Sequence, residues 1–516
     1  MTTLEPEAEA QEINGVSRRQ VIHALSLAGA AGLLAGCNGD ATTAADSAAD
    51  VAAGPIPDDL WRAGAGELAA AIRRGEVSSV EVVESHLARV EAVNGHLNAV
   101  VRVLADEARA AAQAADEAVA AGAELGPLHG VPISVKDNIA VAGTPTTNGV
   151  PAFAEENAEE DALIVTRLKE AGAIVLTRTN LPDLGLRVHT DSYLYGVTRN
   201  PWAADRNVGG SSGGEGSALA AGMSCLGLGN DIGGSLRIPA QCNGIASLKP
   251  TLGRIASATG GSMSGQLMAV DGPMARRVAD LRTAYDLLGR YHRSDPWSVP
   301  VPLDLEPPAA PVKVALVPEP SGGSTHPDIA AGVRAAGAAL EAAGYAVEEI
   351  EPPMVAEALR AWEVLLGYEL SVTRSALEEI MSPAAFDFLD RALDLFAVES
   401  PIEYMAVYGQ RHAIASAWQE FQEDYPLIVG PIMTQPPFVI GYDLQEPGDV
   451  LDQMRFEVAL NLLGLPAVCV PTGVANGLPQ VVEVIGGRYR EGLCLEAAQA
   501  IEDVLGIVTP IDPVMA

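Results

Sequence analysis

Between Gly209 and Pro239 the chain reads GGSSGGEGSALAAGMSCLGLGNDIGGSLRIP, two glycine-serine knots joined by a run of small and apolar residues. Glycine has no Cβ and reaches positive φ without strain, so each knot lets backbone come close to other groups and turn sharply. The second knot, Asp231-Ile232-Gly233-Gly234-Ser235, also sets several amide N–H groups beside a hydroxyl. That is equipment for attacking a carbonyl carbon and holding the oxyanion that results. A serine at its own pKa is a weak nucleophile and needs a base. No histidine lies between 209 and 239, but Lys136 stands upstream in GVPISVKDN, where Val131, Pro132, Ile133 and Val135 read as a buried strand. Desolvation among such neighbours lowers an ammonium's pKa and leaves a neutral amine near pH 7.

Other glycine motifs fit less well. Gly210-Ser211-Ser212-Gly213-Gly214 satisfies the letters of the nucleophile elbow, G-x-S-x-G, which would make Ser212 the nucleophile. That reading requires an acid and then a histidine downstream, and His292, His326 and His412 stand in no recognisable motif. A phosphate loop needs a lysine after its glycines, and Gly227-Leu228-Gly229 is not continued by a third glycine as a dinucleotide fingerprint demands.

Taken together, GVPISVKDN, GGSSGGEGSALAAG, GNDIGGSLRIP, Leu248 to Arg254 (LKPTLGR) and Asp271 to Arg276 (DGPMAR) resemble the amidase signature family. In that family a serine linking lysine to nucleophile precedes the nucleophile by 24 positions, the separation of Ser211 from Ser235 here. The resemblance implies an α/β fold in which a mixed sheet is covered by helices on both faces. It also implies Ser235 as nucleophile, Ser211 after a cis peptide bond as proton relay, Lys136 as base, and the amides of Ile232, Gly233, Gly234 and Ser235 as oxyanion hole. The expected reaction is hydrolysis of a small-molecule or peptide amide through an acyl-enzyme, with no metal and no cofactor. Asp231 and Arg237 read as a structural ion pair, and Arg254 and Arg276 as scaffold. Three positions depart from the family pattern: Asn230 where Thr or Ser is usual, Asp183 where Glu is usual, and Glu483 where Gln is usual. The same family includes the A-type amidotransferase component that feeds ammonia to charged tRNA, and the scaffold without turnover would make a binding module. Retention of Lys136, Ser211 and Ser235 together speaks against the latter.

The N-terminus carries a separate message. Ser17-Arg18-Arg19-Gln20-Val21-Ile22 has the twin-arginine export pattern, followed by a mildly apolar run too short to span a membrane. It ends in Leu34-Ala35-Gly36-Cys37, which looks like a lipobox. The expected organisation is a signal peptide over 1–37 with Cys37 acylated, a flexible tether over 38–57 and one catalytic domain over 58–516. The protein is then exported and lipid-anchored to the cell envelope, on its periplasmic or extracellular face. With 67 acidic against 32 basic residues the net charge is −35, which repels nucleic acid and anionic lipid alike. A tRNA partner is disfavoured, membrane attachment rests on Cys37 alone, and a homodimer is compatible with this reading. Cys225, Cys242, Cys469 and Cys494 lack metal-site spacing and read as buried free thiols.

Along the body, GELAAAIRRGEVSSVEVVESHLARVEAVN reads as two amphipathic helices broken at Gly75, with Ser78 or Ser79 capping the second. Leu97 to Gly122 reads as a further helix. Short apolar strands then alternate with helices, and the chain closes with two strands and a last helix. Trp362, Tyr368, Tyr404, Phe421 and Phe438 are candidates to line the substrate pocket.

Overall fold

The computed structural model describes residues 56–257, 262–398 and 400–514. The leader 1–37 with Cys37, and the tether as far as residue 55, lie outside them.

The apolar runs between helical segments become strands. The first half of the chain supplies β1 (Val100–Val103), β2 (Pro132–Lys136), β3 (Ile174–Thr179), β4 (Asp191–Ser192), β5 (Gly196–Val197), β6 (Leu226–Asp231) and β7 (Ala246–Lys249). The second half adds β8 (Val270–Ala275), β9 (Lys313–Leu316), β10 (Ala346–Glu349), β11 (Leu427–Pro431), β12 (Ala467–Ala475) and β13 (Leu478–Gly486). All but β4 and β5 join one mixed sheet, ordered β1-β3-β2-β6-β8-β7-β12-β13-β11-β9-β10. Helices cover both faces, as expected from the sequence. Beneath one face lie Ala65–Arg74, Val278–Leu288, Pro327–Ala342 and Glu491–Leu505; on the other lie Arg237–Asn243, Val355–Ile380, Pro383–Phe396 and Val458–Leu463. The period-2 alternation of strand side chains feeds both layers: Leu427 and Val429 enter one core while Ile428 enters the other.

Local signals hold where the residues are local. The helix Ala65–Arg74 stops at Gly75, whose φ is 69°, and Ser78 caps Ser79–Leu97. Ser78 Oγ accepts the Glu81 N–H at 3.1 Å while the Glu81 carboxylate accepts the Ser78 N–H at 2.8 Å. One expectation is corrected. The stretch 97–122 is not a single helix, because the β-branched run Val100-Val101-Arg102-Val103 pairs antiparallel with β3 as an edge strand before the helix Ala105–Ala120 begins.

The topology sets the site. β2 lies between parallel neighbours β3 and β6, with Ser134 opposite Gly227 and Val135 opposite Leu228. Lys136 therefore ends β2 at the same sheet edge where Asn230 and Asp231 end β6. The second glycine-serine knot leaves from that edge, at the carboxyl ends of the strands, where open α/β sheets collect their ligands.

Candidate active site

On β2, Ile133 and Val135 enter one apolar core, so the alternation sends Ser134 and Lys136 to the opposite face. Lys136 is fully buried. Its Nζ lies 2.7 Å from Ser211 Oγ and donates to Asn230 Oδ1 at 2.7 Å. Burial pushes the ammonium down to about 7, against the upward pull of Asp231, Asp271 and Glu215. Asn230, the departure from the family pattern, supplies an acceptor, and its Nδ2 is occupied by Asn138 Oδ1 at 3.0 Å. A neutral amine has one lone pair. With one N–H given to Asn230 Oδ1, a neutral amine here can accept the Ser211 hydroxyl proton on that lone pair.

The first knot is shaped by close approaches. The Gly210–Ser211 peptide is cis. Gly209 has φ of 78°, and a Cβ there would lie 2.7 Å from Pro239 Cα, a separation no side chain tolerates. The Ser212 N–H donates to the Ser235 carbonyl at 3.3 Å, stitching the two knots together. Ser235 retains slight exposure, 8%, and its hydroxyl donates to no group among the described residues. Ser212 is wholly buried with its hydroxyl turned to the Asn230 carbonyl, so the elbow reading has no accessible nucleophile.

Asp231 organises the second knot. Its carboxylate accepts the N–H groups of Gly234 at 2.8 Å and Leu236 at 3.0 Å, Arg237 Nε at 3.1 Å and Asn461 Nδ2 at 2.9 Å. Burial opposes its ionisation, but the Arg237 guanidinium outweighs that and holds the carboxyl well below the usual range. Of the four amides expected to form the oxyanion hole, that of Gly234 donates to Asp231. The amides of Ile232, Gly233 and Ser235 are left without an acceptor among the described residues. Arg237, also fully buried, forms the expected pair with Asp231 and serves two further carboxylates, Glu483 at 3.1 Å and Glu457 at 3.6 Å. Gly234 has φ of 94°, and a Cβ there would run into the Glu457 carboxylate. The other two arginines are scaffold as expected: Arg254 donates to the Val301 and Pro302 carbonyls, and Arg276 to those of Ser224, Trp61 and Ala63. Asp183 braces two loops by accepting the Tyr193 N–H at 2.6 Å and the Ser382 N–H at 2.7 Å. Cys225, Cys242, Cys469 and Cys494 are buried and free.

Two residues beside the site had not been singled out for their contacts. Glu215, inside the first knot, is fully buried, accepting the Ser134 and Thr179 hydroxyls in a space that exists because residue 227 is glycine. Thr179 is the register partner of Lys136 and Ser134 lies two residues before it, so this carboxylate belongs to the lysine's own layer. Burial pushes Glu215 up to about 7. An acid in a block otherwise built from small residues was the signal that could have found it. Among the five pocket candidates, Trp362 reaches the second glycine-serine knot, donating from Nε1 to the Ile232 carbonyl at 2.9 Å. Tyr368 and Tyr404 pack on each other, Phe421 on Tyr425 and Phe438 on Tyr442.

A buried lysine bonded to a serine after a cis peptide, beside a second serine on a glycine loop, defines a class that comparison with known proteins identifies. The amidase family model matches residues 81–495. The chain is 43% identical over 461 residues to an indoleacetamide hydrolase of Bradyrhizobium diazoefficiens, an alignment covering 87% of this chain and 88% of that protein. It is 33% identical over 488 residues to the A-type component of the glutamyl-tRNA(Gln) amidotransferase of Salinispora arenicola, covering 88% and 99%. A solved structure of 6-aminohexanoate cyclic dimer hydrolase complexed with substrate matches with a TM-score of 0.75 and 28% identity over 87% of this chain and 98% of that one. The chain belongs to the amidase signature family, and it is an amide-hydrolysing enzyme.

Proposed function

We propose that the chain hydrolyses a small arylacetamide to the acid and ammonia through an acyl-enzyme on Ser235. The observation that carries the mechanism is the buried Lys136 Nζ, 2.7 Å from Ser211 Oγ. The Ser235 proton passes to Ser211, whose own proton passes to the Lys136 lone pair, and Ser235 Oγ bonds to the acyl carbon. The amides of Ile232, Gly233 and Ser235 receive the oxyanion, each well-aimed donor contributing about 3 to 4 kcal/mol. Collapse breaks the C–N bond, and the proton held on Lys136 returns through Ser211 to the departing nitrogen. Water then attacks the acyl carbon, giving its proton by the same path, and Ser235 leaves with that proton as the acid is released. The substrate class rests on the relative named for indoleacetamide, and on the apolar cluster carrying Trp362 and Phe396 against the nucleophile loop. Ammonia release from indole-3-acetamide, set against acetamide and an anilide, tests it. Turnover of the anilide alone would move the substrate class to aryl amides, and ammonia supplied only in the presence of charged tRNA would favour the amidotransferase relative.

The lysine gives a pH signature. The active form is the neutral amine, and its conjugate acid titrates near 7, so kcat/KM is expected to rise with pH through about 7 and level off above. Glu215→Gln keeps an acceptor oxygen for one of the Ser134 and Thr179 hydroxyls, meets the other with an amide N–H to which that hydroxyl can turn its oxygen, and removes a carboxylate that pulls the ammonium upward. Its rising limb is expected at lower pH than the wild type's; a limb that stays put or moves up contradicts this account of the base.

We also propose that the enzyme is exported by its twin-arginine leader and held at the envelope by a lipid on Cys37. Globomycin sensitivity and the mass of the mature N-terminus test this. An intact Met1 on the native protein refutes it.

A further inference from the structure

The helix Val355–Ile380 belongs to the stretch between the signature block and the closing strands, and it brings one polar atom to the nucleophile loop. Trp362 is 5% exposed, packs edge-to-face on Phe396 with ring centroids 5.9 Å apart, and donates from Nε1 to the Ile232 carbonyl at 2.9 Å. Its ring also lies against Gly233, where a Cβ would come within 2.5 Å of the indole Cζ2. The Ile232 carbonyl and the Gly233 N–H are the two ends of one peptide plane. In a trans peptide they point in opposite directions. Fixing the oxygen on the indole therefore fixes the Gly233 N–H facing away from it, and that N–H has no acceptor among the described residues.

We infer that Trp362 is a positioning residue that aims the Gly233 amide at the developing oxyanion, so that the helix Val355–Ile380 also sets the strength of the oxyanion hole. The inference rests on the proposed acyl-enzyme reading. An acyl group that displaced the indole would unlatch the peptide and lose turnover while still binding, which couples substrate fit to kcat.

Trp362→Phe keeps an aromatic ring over Gly233 and removes the N–H donor; Trp362→Tyr serves as a second variant should the first melt early. With indole-3-acetamide, kcat is expected to fall roughly tenfold or more, with KM within about threefold of wild type and the pH of the rising limb unmoved. Labelling of Ser235 by a fluorophosphonate is expected to slow in parallel, because the phosphonyl oxygen needs the same amides. An unchanged kcat with a raised KM makes Trp362 a pocket wall and overturns the inference, as does a displaced rising limb. Wild-type protein that neither turns over an amide nor accepts the label would instead defeat the acyl-enzyme reading, so the two failures are distinguishable.

Discussion

Ser235→Ala is expected to abolish both amide turnover and covalent labelling by a fluorophosphonate, whereas Ser212→Ala keeps the label. Removing a serine nucleophile in a comparable triad costs on the order of 10⁶ in kcat, so residual activity in the Ser235→Ala protein should fall below a sensitive ammonia assay. Lys136→Ala is expected to lose about 10² to 10⁴ in kcat and to lose the rising limb near pH 7, because the group that titrates there is gone. The two serines separate cleanly because of where they sit. Ser235 retains exposure at the sheet edge, while Ser212 is buried at the start of the helix Gly213–Ala220 with its hydroxyl turned to the Asn230 carbonyl. Labelling that survived Ser235→Ala and vanished in Ser212→Ala would reverse the assignment of nucleophile.

What the sequence made legible was local. Lys136 could be placed at the end of a buried strand because its apolar neighbours are contiguous, and Ser211 and Ser235 because each sits in its own glycine knot. The strand β1 was missed, since a four-residue edge strand leaves too short a pattern between two helices. The commitment of the Gly234 amide was within reach: an aspartate three residues before a glycine N–H is a familiar side-chain-to-backbone turn. Trp362 was legible as an aromatic residue but not as a donor to Ile232, because 130 residues separate them and only the packing of a helix on the sheet brings them together. The same holds for Glu457 and Glu483, which lie 220 and 246 residues from the arginine they face.

That arginine carries the largest expected effect on stability. Arg237→Met removes the guanidinium that faces Asp231, Glu457 and Glu483, all fully buried, and leaves three acids with the buried Lys249 and Lys136 as neighbouring cations among the described residues. Removing one partner of a buried ion pair costs about 3 to 5 kcal/mol, and the loss is expected at the upper end here because Asp231 also anchors the nucleophile loop through Gly234 and Leu236. The sign with pH follows from the acids. In the wild type Asp231 is held well below its ordinary value, so its share of stability is present above about pH 4 and lost as pH falls through the folded pKa. Burial instead pushes Glu457 well up and Glu483 to about 7, so each costs stability as pH rises from the unfolded carboxylate range through its folded value. Without Arg237 all three acids should favour the protonated form. The gap in denaturation midpoint between wild type and Arg237→Met is therefore expected to be widest near pH 8 and to narrow toward pH 5. Adding Glu483→Gln, which removes the acid that titrates near 7 beside Arg237, should recover part of the loss at pH 8 and little at pH 5. A gap independent of pH would mean that the variant is weakened by lost packing rather than by uncompensated charge.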